Sequence, residues 1–247
     1  MDVAARAANP ELLIAIPIVI FSDPMFLPHV KICGITRKQD AVLCAEAGAG
    51  ALGAVFYEKS PRNVEPAFVR QLFAGLDPRI ARVGVFVNAS VDTMVRTARI
   101  AAVDVIQMHG EETKETIEAL LREGFRVVQA IKRTGPELLA AARALPPQVG
   151  ILVECGRGAL PGGNGLAWNW SKAAPLAQFR AFAIAGGLNP QNLAQVARDS
   201  LAAAFDASSG VETAPGIKDE AAVRAFLRAA GNLPPRPQLF SWKGTPP

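Results

Sequence analysis

From residue 29 onward the chain switches eight times, without a break, between a short apolar run and a helical pattern. The apolar runs fall at 30–33, 51–56, 82–87, 103–107, 126–131, 150–154, 181–185 and 203–206. They are near-continuous rather than alternating, which marks parallel strands covered on both faces. The helical stretches between and after them fall at 38–47, 66–74, 91–101, 112–123, 136–144, 170–177, 190–197 and 220–229. Proline at a first helical turn (Gly135-Pro136, Asn189-Pro190) and acids near another (Glu111, Glu112) are start signals. Eight such units predict an α/β fold, a single closed (β/α)8 TIM barrel. An open doubly wound sheet is the competing solution, but it uses fewer units and a glycine fingerprint after strand 1, which is absent here.

The barrel is expected over 29–231, with irregular extensions at both ends. Residues 1–28 read as a disordered or loosely docked extension, or as sequence ahead of a native start at Met25. Its apolar run at 11–21 is too short to span a bilayer and is interrupted by Pro17. Residues 232–247 form a proline-rich tail in which Phe240 and Trp242 either dock on the barrel or stand exposed.

With 247 residues, 50% hydrophobic and 19% charged, the chain can build a full core and is not a disordered composition. Three cysteines at irregular spacing make neither a disulfide framework nor a zinc pattern, and point to a reducing, cytoplasmic setting. Two histidines are too few for a histidine-rich metal site. The net charge of +4 is scattered, which argues against a nucleic-acid surface and suits a small anionic substrate. No membrane partner is expected, and the monomer is the default.

A barrel of this kind builds its function from residues just after each strand. Strand 1 ends at Cys33-Gly34, so a thiol faces the mouth as nucleophile, general base or inert packing. Arg62, in a proline-stiffened loop after strand 2, can grip a carboxylate bidentately or lie in solvent. Gln107 and His109 close strand 4 as supporting candidates, His109 being either an acid/base group or structural. Glu154 closes the apolar strand 6, where packing gives no reason for a carboxylate, and is a candidate general acid. Three turns then supply backbone donors for an anion: Gly163 and Gly165 after strand 6, Gly186 and Gly187 after strand 7, Ser208, Ser209 and Gly210 after strand 8. The last two stand where this architecture seats phosphate. The set describes acid/base chemistry on a small phosphorylated substrate, with no metal and no cofactor.

The strings KICGIT, FYEKSPR, RVGVFVN, VIQMHGEE, GGNG, AGGLNPQN and DASSGVETAPGIKD, in this order from Val30 to Leu227, resemble phosphoribosylanthranilate isomerases of tryptophan biosynthesis. The resemblance implies an Amadori rearrangement of N-(5-phosphoribosyl)anthranilate to 1-(2-carboxyphenylamino)-1-deoxyribulose 5-phosphate. It casts Glu154 as the acid that opens the ribose ring and Cys33 as the base that removes the C2′ proton. Arg62 would hold the anthranilate carboxylate, and the amides around Gly163, Gly165, Gly187 and Ser209 the phosphate, with Asp206 shaping that loop.

One departure stands out. The family's acid is an aspartate, and Glu154 adds a methylene, a displacement of roughly 1 Å that can lower a rate about 10²-fold. Asn164 and Trp168-Asn169-Trp170 are milder departures. Two other readings therefore stay open: a barrel of the same family that binds phosphate but has weakened or lost catalysis, and a histidine-pathway phosphoribosyl isomerase. The latter resembles a paired-aspartate site whose first aspartate would stand at Cys33.

Overall fold

The computed structural model describes residues 26–154, 168–236 and 238–243. Eight parallel strands close into a barrel in chain order, β8 pairing with β1. They are β1 Leu27–Cys33, β2 Ala49–Phe56, β3 Ala81–Phe86, β4 Val105–Met108, β5 Arg126–Ile131, β6 Gly150–Val153, β7 Ala183–Ile184 and β8 Ala204–Ala207. Helices α1 Lys38–Glu46, α2 Pro66–Leu72, α3 Val91–Ala101, α4 Lys114–Arg122, α5 Pro136–Ala144, α6 Leu193–Ser200 and α7 Glu220–Gly231 cover the outside. The expected barrel is the observed one. No helix of the described residues is long and apolar enough to cross a membrane.

Strand alternation sorts the core into two shells. Ile32, Leu52, Ile106, Ile151 and Phe205 face the helices in a large outer cluster. Ala51, Ala81, Val83, Ala183 and Ala204 face inward. The inner shell is mostly small, so the strand starts leave room at the floor of the barrel. Trp242 fills that room from the tail and is 1% exposed, with Phe240 packed edge-on to it at 5.2 Å. Of the two expectations for these aromatics, docking is the one found.

Several local expectations change. The helix over 170–177 is a 3₁₀ helix, Trp170–Gln178, because Pro175 lies inside it and has no N–H to give. Glu112 does not begin α4. Its carboxylate instead accepts from Asn88 N (2.9 Å) and Gly110 N (3.1 Å), and Thr113 caps the helix through Thr116 N. Helix α6 starts at Leu193, three residues past Pro190, because Asn189 first makes a turn that accepts from Gln191 N and Asn192 N. A hairpin of β9 Glu212–Ala214 and β10 Ile217–Lys218 follows β8, and no sequence pattern announced it.

Candidate active site

The C-terminal ends of the strands carry one cavity, lined by Cys33, Arg62, His109, Glu154, Gly187 and Ser208 among others. Gly186, Asp206 and Ser209 also border it. Gln107 lies one inward position below His109 and is fully buried, and neither end of its amide has a hydrogen-bond partner among the described residues. Gly210 packs against the Leu188 carbonyl, where a Cβ would sit only 2.0 Å from the oxygen. Gly163, Gly165 and the neighbouring Cys155 and Asn164 lie outside the described residues.

Cys33 ends β1 facing inward and is half-buried with a free thiol. Lys31, two residues earlier on the same face, is fully buried and places Nζ 2.7 Å from Asp206 Oδ2 on the adjoining β8. The Lys31 ammonium and the Cys33 sulfur share the space over Gly53 and attract each other electrostatically. Gly53 makes this contact possible, since a Cβ there would lie 2.9 Å from both Cys33 Sγ and Lys31 Cε.

Burial works against the Lys31 ammonium, but Asp206 and Cys33 outweigh it and raise its pKa. Burial also pushes the Asp206 carboxyl up, with Lys31 pulling the other way. At 2.7 Å the contact decides, and the pair is an ammonium and a carboxylate. The Cys33 thiol is pushed up by burial, while Lys31 and Lys218 draw it down less strongly.

Arg62 is buried and already engaged. Its Nε and Nη2 grip Glu212 at 3.0 and 2.6 Å, leaving the Nη1 edge for another anion. Its stem crosses Gly34, where a Cβ would meet Arg62 Cδ at 2.5 Å and φ is +77°. Lys218 donates at 2.7 Å to Glu212 Oε1, the oxygen that Arg62 Nε also reaches, and to the Cys33 carbonyl at 2.5 Å. Ser208 Oγ reaches that same carbonyl at 3.1 Å. The β9–β10 hairpin thus locks the end of β1 to the loop after β8.

On the far side, Glu154 is 5% exposed and places Oε2 3.1 Å from His109 Nε2. The Gly186-Gly187 turn is held by its carbonyls: Trp170 Nε1 donates to Gly186 O and Asn192 Nδ2 to Gly187 O. Both residues have positive φ, and among the described residues neither of their N–H groups has a protein acceptor. Two open amides at the edge of the cavity can receive an anion.

Lys31, Glu212 and Lys218 were not singled out from sequence. Lys31 carries the same signal that marked Glu154, a charge inside an apolar strand, and shares the inward face of Cys33. Glu212 and Lys218 sit on strands of three and two residues, too short for a period to show.

The model of the N-(5′-phosphoribosyl)anthranilate (PRA) isomerase family matches residues 30–229. The chain belongs to this family. A relative from Geotalea uraniireducens (strain Rf4), named N-(5′-phosphoribosyl)anthranilate isomerase, is 38% identical over 84% of this chain and 100% of its own length. One of the same name from Myxococcus xanthus (strain DK1622) is 41% identical over 83% of this chain and 97% of its own.

The phosphoribosyl anthranilate isomerase of Thermotoga maritima superposes with a TM-score of 0.76 at 34% identity, covering 83% of this chain and 99% of that one. A phosphoribosyl anthranilate isomerase in complex with reduced 1-(o-carboxyphenylamino)-1-deoxyribulose 5-phosphate gives 0.73 at 33% identity, with 83% and 99% covered. The family match ends before the tail that carries Trp242.

Proposed function

We propose that this chain isomerises N-(5′-phosphoribosyl)anthranilate to 1-(2-carboxyphenylamino)-1-deoxyribulose 5-phosphate, the Amadori step of tryptophan biosynthesis. The observation that carries the reading is the pairing of Cys33 and Glu154 in one mouth cavity, with the open Gly186-Gly187 amides beside them. An acid, a base and an anion seat are what this rearrangement needs.

Glu154 in its protonated form gives its proton to the ribose ring oxygen, the C1′–O bond breaks, and the nitrogen lone pair forms a Schiff base. The Cys33 thiolate removes the C2′ proton, and the electron pair moves to give an enolamine. That species tautomerises to the ketone. Cys33 acts as a base and forms no bond to carbon. Lys31 and Lys218 favour its thiolate form over what burial alone would allow.

The phosphate sits on the amides of Gly186 and Gly187 beside Ser208 and Ser209. Arg62 meets the anthranilate carboxylate with its Nη1 edge while Glu212 holds the rest of the guanidinium. Asp206 serves the base through Lys31. One copy of the chain supplies all these residues, and we take the monomer, working in the cytoplasm, as the active unit.

Turnover followed by the loss of substrate fluorescence, with complementation of a tryptophan auxotroph, tests the assignment. Wild-type protein should turn over, and Cys33→Ala should lose at least about 10²-fold in kcat. Full activity in Cys33→Ala overturns the base. Absence of turnover in the wild type overturns the reading in favour of a lapsed barrel.

A further inference from the structure

The floor of the barrel connects to the chemistry at its mouth. Trp242 lies among inward residues near the strand starts: Ala51, Ala81, Val105, Ala183 and Ala204. It is held there by its own segment. Phe240 packs against it and under Gly150, where a Cβ would sit 3.5 Å from Phe240 Cζ. Lys243 Nζ bonds the Pro78 carbonyl and lies 4.0 Å from Asp104.

The upper face of the indole is not idle. Lys31 Nζ stands over the ring at 5.2 Å from its centroid. The same ammonium is bonded to Asp206 and attracts the Cys33 sulfur, with which it shares the space over Gly53. It therefore has carboxylate and sulfur as partners and an aromatic face beneath, with no exposure to solvent. An ammonium buried over a ring face is attracted by the ring quadrupole, most strongly where water is excluded. The small inner shell leaves the indole as the group that fills the space below Lys31.

We propose that Trp242 is a positioning residue for the isomerisation, fixing from the floor of the barrel the Lys31 ammonium that stands beside the Cys33 base. The inference rests on Cys33 being that base, as argued above. It concerns residues beyond the stretch that matches the family, so it gives the tail a role in catalysis that the family match does not contain. Without the ring, Lys31 gains room and water, and its charge is screened from the sulfur. Substrate binding is made at the opposite end of the barrel and stays as it was.

Trp242→Leu and Trp242→Phe in the full chain separate positioning from packing, because both shrink the plug but only Phe keeps an aromatic face. Three readouts are taken: thermal midpoint, kcat and KM separately, and the rate at which iodoacetamide alkylates Cys33 at neutral pH, followed on the peptide that carries it. Trp242→Leu should lose about tenfold in kcat with KM unchanged, and Cys33 alkylation should slow roughly threefold. Trp242→Phe, with a thermal midpoint close to that of Trp242→Leu, should retain most of both.

Full kcat in Trp242→Leu, an equal loss in both variants, or a change in KM alone overturns the positioning role. Should the wild type itself fail to turn over, the functional reading falls. The alkylation rates then decide the inference separately: slowing in Trp242→Leu but not in Trp242→Phe upholds the link to Cys33, and equal rates overturn it.

Discussion

Glu154 Oε2 stands 3.1 Å from His109 Nε2, both buried at the far side of the mouth. The resemblance implies an aspartate at this position, and the longer glutamate side chain here faces His109. Reverting it is expected to hurt. Glu154→Asp withdraws the carboxyl group by roughly 1 Å from His109 and should lower kcat about tenfold, within the range such displacements produce. Glu154→Gln, which cannot give the proton, should lose 10²-fold or more. Steady-state kinetics checks both, and a Glu154→Asp enzyme as fast as the wild type would show that His109 does not compensate.

The Arg62–Glu212–Lys218 cluster makes a prediction about acid. Burial acts to raise the Glu212 carboxyl, but the Arg62 hydrogen bonds and the Lys218 charge outweigh it and hold it below the ordinary 4.5. A carboxyl depressed in the fold contributes stability that is fully present above its unfolded value and disappears as the pH falls through the folded one. Glu212→Gln should therefore be less stable than wild type at pH 7, with the gap closing below pH 4.5. Denaturant unfolding across that range measures it, and a gap independent of pH would remove the ionised carboxylate from the account.

The barrel was legible because eight buried parallel strands are eight apolar runs, and the helices between them announce themselves by period and cap. Strand boundaries moved by a few residues, but the topology did not. The mouth was legible wherever a chemical residue interrupted an apolar pattern, as at Cys33 and Glu154. What sequence did not carry was partnership: Arg62 pairs with Glu212 from 150 positions away, and Lys31 with Asp206 from 175. Such pairs depend on β8 returning beside β1, a fact of closure rather than of local pattern. The docked Trp242 was open for the same reason, since a tryptophan in a proline-rich tail has no period to declare its face.

Lys31 and Asp206 are a buried pair, and removing one side should be costly. Lys31→Met leaves the Asp206 carboxylate without its ammonium and should destabilise the fold by about 3–5 kcal/mol. Adding Asp206→Asn should recover a large part of that, because the uncompensated charge is gone. The double-mutant cycle by chemical denaturation reads the coupling directly. Additive losses would mean that the 2.7 Å contact contributes nothing beyond packing.

Gly53 predicts a steric effect on the same group. Gly53→Ala brings a methyl to 2.9 Å from Cys33 Sγ and Lys31 Cε, so one of them must shift. The expected result is a kcat lowered by about tenfold or more with KM for substrate little changed, since Arg62 and the Gly186-Gly187 turn are not displaced. A change confined to KM would place the effect elsewhere.

The last prediction concerns the Cys33 proton. Burial pushes the thiol up, Lys31 and Lys218 draw it down, and Asp206 pushes it up again, leaving it above its ordinary 9.0. A base must be deprotonated to act, so raising the pH increases the working fraction, and kcat/KM should climb with pH on a limb set by Cys33. Alkylation of Cys33 should climb on the same limb and still be rising at pH 9. Cys44 does not interfere, because it is buried and pushed up to about 12. Lys31→Met removes the strongest downward pull, so both limbs should move further to alkaline pH and neutral-pH activity should fall. A Cys33 alkylation profile that levels off well below pH 9 would show that the two lysines prevail over burial, and the thiolate would then be the resting form.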